Sequence, residues 1–95
     1  MKGYVVCVYK NITSQEKLKE YAVKARVAVE KYKGKFLIRG GKSTINEGDK
    51  SPRTVVIEFP SYDEANNFYQ SKEYQEAHII LKGHAERQFQ IVEGI

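Results

Sequence analysis

Tryptophan is absent from the 95 residues, proline and histidine occur twice each, and there is a single cysteine, Cys7. One cysteine makes no internal disulfide, whereas a small secreted domain ordinarily carries several to offset its thin core. A reducing, cytoplasmic setting is expected. Cys7 lies between Val6 and Val8, where a thiol behaves as an inert small hydrophobe. The two histidines, His78 and His84, come with no His-x-x-x-His and no Cys-x-x-Cys spacing, so no metal site is expected. No Gly-x-Gly-x-x-Gly or Walker-type loop occurs, and Gly40-Gly41 alone is weak evidence for a phosphate; no cofactor is expected. No apolar run approaches the ~18 residues that span a bilayer, and Met1-Lys2-Gly3-Tyr4 lacks the apolar stretch of a secretory signal. No membrane partner follows from such a chain.

What is present is ordinary globular composition, with 41% hydrophobic and 29% charged residues, which excludes disorder as the main reading. Residues 1–95 are expected to form one domain. At this length roughly 60–65% of the unfolded chain's surface can be buried on folding, so a partner subunit would add needed stability. The net charge of +4 is unevenly spread: residues 1–53 hold 13 Lys/Arg against 5 Asp/Glu, and residues 54–95 hold 3 against 7. A basic half raises nucleic acid or an anionic ligand as partners, although helix lysines are commonly just solvated.

Along the chain, Tyr4–Tyr9 is a β-branched and aromatic run that reads as a strand covered on both faces. Thr13-Ser14-Gln15-Glu16 has capping-box spacing with Thr13 as the cap, opening an amphipathic helix whose stripe is Leu18, Tyr21, Ala22, Ala25, Ala28, Val29 and Tyr32. Gly34 is placed to end it in the left-handed conformation. Residues 35–39 and 53–59 read as strands joined by a polar connection over 42–52, an arm whose length makes it a candidate functional loop. Ser61 caps a second helix, Ser71 offers a fresh cap for a third or for a kink, and Gly83 interrupts the pattern. Residues 87–93 alternate polar and apolar as a last strand.

The order β-α-β-β-α-β predicts the α+β ferredoxin-like arrangement, a four-stranded antiparallel sheet with the helices on one face. Its second face needs a cover, which a second copy could supply. Gly34–Gly41, Arg53–Ser61, then Ala65, Phe68-Tyr69, Ser71, Glu73-Tyr74-Gln75 and Val92-Glu93-Gly94 together resemble the domain of unknown function 1330 family, of the dimeric α+β barrel superfamily. The resemblance covers almost the whole chain. It implies a homodimer whose sheets pack face to face, with a pocket beside each sheet, but no particular activity. Superfamily relatives include small monooxygenases, isomerases, haem-degrading enzymes and ligand-binding regulators. The chain departs from the family pattern at Lys33, where a glycine is usual, at Lys72, where proline is usual, and at Lys82, where arginine is common.

Candidate chemistry gathers around few residues. Arg39, beside Gly40, ends a strand where backbone can approach a ligand and a guanidinium can clamp a carboxylate; an ion pair with Glu58 is the competing reading. Arg53 opens the next strand as a further ligand contact or as the ion-pair partner of Glu47, Asp49 or Glu58. His78 and Tyr74 are candidates for acid–base catalysis, with the Tyr69 hydroxyl near them a candidate ligand contact; core packing is the plain alternative for all three.

Three functions are therefore compatible. The first is a dimeric protein that binds a small, anionic molecule in a pocket by the sheet, including as a cofactor-free acid–base enzyme using Arg39, Tyr74 and His78. The second is a non-catalytic structural or interaction dimer. The third, an RNA-binding module, shares the strand order but needs exposed aromatics where the 53–59 strand offers Val55, Val56 and Ile57, so nucleic acid is disfavoured.

Overall fold

The computed structural model describes residues 1–95, which form β1 (Gly3–Ile12), α1 (Gln15–Lys31), β2 (Lys35–Arg39), β3 (Arg53–Phe59), α2 (Tyr62–Gln70), α3 (Lys72–Leu81) and β4 (Ala85–Glu93). The four strands make one antiparallel sheet in the order β2-β3-β1-β4. The helices cover one of its faces. This is the ferredoxin-like arrangement, with the second helical region divided in two.

Capping sets the helix limits. Ser61 accepts a hydrogen bond from the Glu64 amide at 3.0 Å and starts α2; Ser71 accepts from the Tyr74 amide at 3.1 Å and starts α3. At α1 the expected cap shifts by one residue: Ser14 accepts from the Lys17 amide at 3.1 Å. The Thr13 hydroxyl is engaged elsewhere, donating to the His84 carbonyl at 3.0 Å and so tying this turn to the one before β4. The far end of α1 differs too. The left-handed residue is Lys33, with φ 62°, and not Gly34. The Lys33 amide donates to Glu30 O and the Gly34 amide to Val29 O, which is the Schellman arrangement. Gly34 is required for space, because a Cβ there would lie 2.7 Å from both Phe59 Cε1 and Val29 Cγ1.

Cross-strand register divides the sheet into rows. On the helix side run Ile91–Val5–Ile57–Phe36, then Phe89–Cys7–Val55–Arg39, then Arg87–Tyr9–Arg53. The first two rows supply much of the core, with Val5, Cys7, Val55 and Ile57 buried against Leu18, Ala25, Val29 and Phe68. β2 keeps this register only through a bulge. Between Phe36 and Ile38 the pairing slips by one residue, so Ile38 turns to the open face and Arg39 returns to the helix side. Within one chain β1 is covered on one face only: the open side carries Tyr4, Val6 and Val8 with Val56, Ile38 and Val92, and Val8, Ile38 and Val92 are 37%, 47% and 43% exposed, the face a second copy would cover. No helix is long and apolar enough to cross a membrane.

Candidate functional site

A cavity of about 300 Å³ lies between α1 and the helix side of the sheet. Its floor is apolar, built from the Val5, Cys7, Val55 and Ile57 rows with Phe36 and Phe89, and α1 roofs it with Leu18, Ala22 and Val29. Fourteen of its eighteen lining residues are hydrophobic; the other four are Arg26, Arg39, Arg53 and Arg87. No aspartate, glutamate or histidine lines it.

The arginines are gathered by the register. Arg53 and Arg87 flank Tyr9 on the two neighbouring strands, so their backbones stand roughly 10 Å apart, two strand spacings. Arg39 faces Val55, one row further in. Arg26 is paired with Glu30 at 3.1 Å, and the other ion pairs are Lys2–Glu58, Lys17–Glu20 and Lys31–Glu73. Arg39, Arg53 and Arg87 consequently have no carboxylate partner. Arg39 is exposed and lies over the Phe36 ring, 4.9 Å from its centroid. The Arg53 Nε is buried and has no hydrogen-bond partner at all. Gly40, left-handed at φ 68°, lets the backbone press on the Arg53 guanidinium, with which any Cβ would collide.

Arg87 is held differently. Its Nη1 donates to the hydroxyls of Tyr21 at 3.0 Å and Tyr9 at 3.2 Å and points at Cys7 Sγ at 3.6 Å, while Nη2 donates to the Tyr74 hydroxyl at 2.8 Å. Its guanidinium also sits over the rings of Tyr9, Tyr21 and Phe89. Burial works against its charge, but the Tyr21 and Tyr74 oxygens outweigh it and keep the group ionised. Burial pushes the Tyr9 hydroxyl up to about 12 and raises Tyr74 further, so both stay protonated at neutral pH. Burial also raises the Cys7 thiol, against the pull of Arg87.

Of the residues singled out in the sequence, Arg39 and Arg53 line the cavity, and Gly40 abuts Arg53. Tyr74 does not line it, but its hydroxyl reaches Arg87, which does. His78 and Tyr69 lie outside. His78 is one turn along α3 from Tyr74 and stacks on its ring at 5.9 Å; Tyr69 packs on Tyr74 at 5.2 Å and on Phe89 at 5.1 Å. Burial, with the Arg87 and Lys82 charges, lowers the His78 pKa from its ordinary 6.5. The proposed ion pairs of Arg39 or Arg53 with Glu58 do not form, because Glu58 is on the open face, with Lys2 at 3.9 Å and the Tyr4 hydroxyl at 3.2 Å. Arg53 makes no pair with Glu47 or Asp49 either. Sequence reasoning missed Arg87, Tyr9 and Tyr21. A signal for Arg87 was available, since it shares strand parity with Phe89 and Ile91, the apolar face of β4.

A family model described as a domain of unknown function, DUF1330, matches residues 2–95. No curated protein matches the chain. Among solved structures it resembles a protein of unknown function from Rhodopseudomonas palustris, with TM-score 0.75 at 13% identity over 99% of this chain and 82% of that one. It also resembles a dimeric protein of unknown function and ferredoxin-like fold from Bacteroides fragilis (TM-score 0.54, 16% identity, 98% and 96% covered). A third likeness is to a candidate antibiotic biosynthesis monooxygenase from Nitrosomonas europaea (TM-score 0.55, 16% identity, 98% and 90% covered). At such identities the likeness concerns the fold alone.

Proposed function

The chain belongs to the DUF1330 family, and we propose that it is a homodimeric binding protein for a small amphipathic anion, a carboxylate with an apolar body. The observation that carries this reading is the buried Arg53 Nε without a partner, in an apolar cavity that holds two further unpaired arginines and no acid. An unpartnered buried donor on a cation is costly, and a carboxylate accepting from the guanidinium would remove that cost. Arg39, exposed at the same end, completes the clamp. The apolar rows beyond take the rest of the ligand. About 300 Å³ corresponds to roughly ten water molecules of liquid volume, which fits a single-ring or medium-chain acid.

Binding is favoured over acid–base catalysis because the cavity lining contains neither His78 nor any carboxylate to act as base. The dimer is supported by the apolar open face around Val6 and Val56 and by the dimeric description of the Bacteroides fragilis relative. A cytoplasmic setting, in which the buried Cys7 thiol stays reduced, belongs to the same reading.

Isothermal titration with benzoate, phenylacetate and octanoate tests it. At least one acid should bind, the matching alcohol should not, and Arg53→Met and Arg39→Ala should each weaken binding about tenfold or more, as loss of a charge-assisted hydrogen bond requires. If no acid binds, the protein is a structural dimer instead; if both variants bind as the wild type does, Arg39 and Arg53 are not the anion clamp and the reading fails.

A further inference from the structure

The Arg87 cluster contains a proton count that fixes which way its hydroxyls point. The Tyr21 and Tyr74 oxygens are 3.0 Å apart, and on distance alone either hydroxyl could donate to the other. Each also accepts from Arg87. Tyr74 is fully buried, does not line the cavity, and its hydroxyl has no further partner. If Tyr21 donated to it, the Tyr74 proton would be an orphaned buried donor. Tyr74 therefore donates to Tyr21, and the Tyr21 proton is released to the cavity that Tyr21 lines. Tyr9 reaches the same state by a shorter route. Its hydroxyl makes one hydrogen bond, accepted from Arg87, and its own proton has the cavity as its outlet.

Two hydroxyl protons are thus left without a partner in the chain, on residues that line the cavity and on oxygens 3.2 and 3.0 Å from the same Arg87 Nη1, a guanidinium with no carboxylate partner. Preorganised donors aimed at one place in a dry site are the arrangement that stabilises an oxyanion. Their rigidity follows from packing: Tyr9 and Tyr21 are 2% and 8% exposed, and the Tyr21 ring is braced edge-on by Tyr74. We propose that Tyr9 and Tyr21, oriented by Arg87 and Tyr74, form a two-hydroxyl oxyanion site that binds an enolate or phenolate oxygen of the ligand. This rests on the anion cavity proposed above and narrows its ligand to a hydroxyaryl or oxo acid, its carboxylate on Arg53 and Arg39 and its second oxygen on the tyrosines. The ionisable hydroxyl of the ligand loses its proton to solvent on binding, since the cavity lining supplies no carboxylate or imidazole to accept it.

The test uses 4-nitrophenol, whose phenol and phenolate forms absorb differently, titrated with pH in the presence of excess protein, with benzoate binding measured alongside. The bound probe should ionise at least one pH unit lower than the free probe, equivalent to tenfold preference for the phenolate. Tyr9→Phe and Tyr21→Phe should each reduce that preference several-fold. An unchanged ionisation midpoint in the wild type, which needs no variant to fold, overturns the oxyanion site. So does a full drop in both Phe variants, which would assign the effect to the arginine field alone. If benzoate binds and 4-nitrophenol does not, the oxyanion site is lost and the anion cavity stands; if neither binds, both are lost.

Discussion

Arg39 and Val55 are cross-strand partners on the helix side of the sheet, and they meet only because the bulge after Phe36 inserts one extra residue into β2. Without it, strict alternation would put Arg39 on the open face with Lys35, whose partner is Glu58. A sheet irregularity thus decides whether the first arginine of the β2–β3 hairpin stands on the open face, opposite Thr54, or on the cavity side.

That placement leaves Arg39 and Glu58 on opposite faces of the sheet. Glu58→Gln should leave carboxylate binding unchanged, because Glu58 touches Lys2 and Tyr4 on the other face. Arg39→Ala should weaken it about tenfold. Titration of both variants with the best-binding acid makes the comparison. A gain in affinity in Glu58→Gln would mean that Glu58 restrains Arg39 after all.

The two residues ending α1 should respond in opposite directions to small substitutions. Lys33 holds φ 62°, a conformation that costs a residue with a Cβ about 1 kcal/mol or more. Lys33→Gly should relieve it, and after the greater freedom of glycine in the unfolded chain should stabilise the protein by roughly 0.5 kcal/mol. Gly34→Ala inserts a methyl against Phe59 and Val29 and should destabilise by about 1–3 kcal/mol. Urea unfolding of the pair checks both signs, and a stable Gly34→Ala protein would show that Phe59 can move aside.

Much of this was legible in the sequence, for local reasons. The strands 35–39 and 53–59 are found where read, bounded by Gly34, Gly40 and Pro60, and the Ser61 and Ser71 caps act through hydroxyls three residues from their targets. The errors arose where a distant contact chose between local equals. Thr13 and Ser14 are both competent caps, and the choice is made by His84, 71 residues away in sequence. The β2 bulge has no residue signature, so Arg39 could not be assigned to a face. Arg87 is legible from its parity with Phe89 and Ile91, although alternation alone does not tell a buried arginine from a solvated one. Its three tyrosine partners come from β1, α1 and α3, a convergence that only the fold creates.

The open face yields a prediction about assembly. Val6 and Val56 are direct partners in the middle of that face, with Val8, Ile38 and Val92 around them. A buried carboxylate at such a contact is strongly unfavourable. Val56→Asp should convert a dimer to a monomer in sedimentation velocity, with a lower melting temperature, since the second copy stabilises by mass action. Wild type sedimenting as a monomer at micromolar concentration would exclude the face-to-face dimer.

Histidine 78 should make the protein sensitive to mild acid. Burial in the aromatic cluster, reinforced by the Arg87 and Lys82 charges, lowers its folded-state pKa below the ordinary 6.5. The unfolded chain then binds a proton more readily than the folded one, so the contribution is full above about pH 6.5 and is lost as pH falls through the folded-state value. Urea midpoints of the wild type should drop between pH 7.5 and pH 5, and His78→Gln should flatten that drop while retaining its fold. The histidine's own titration, followed by NMR, supplies the independent check. A midpoint at or above 6.5 would mean that a ligand or partner group compensates the imidazolium, and His78 would then not be the source of the drop.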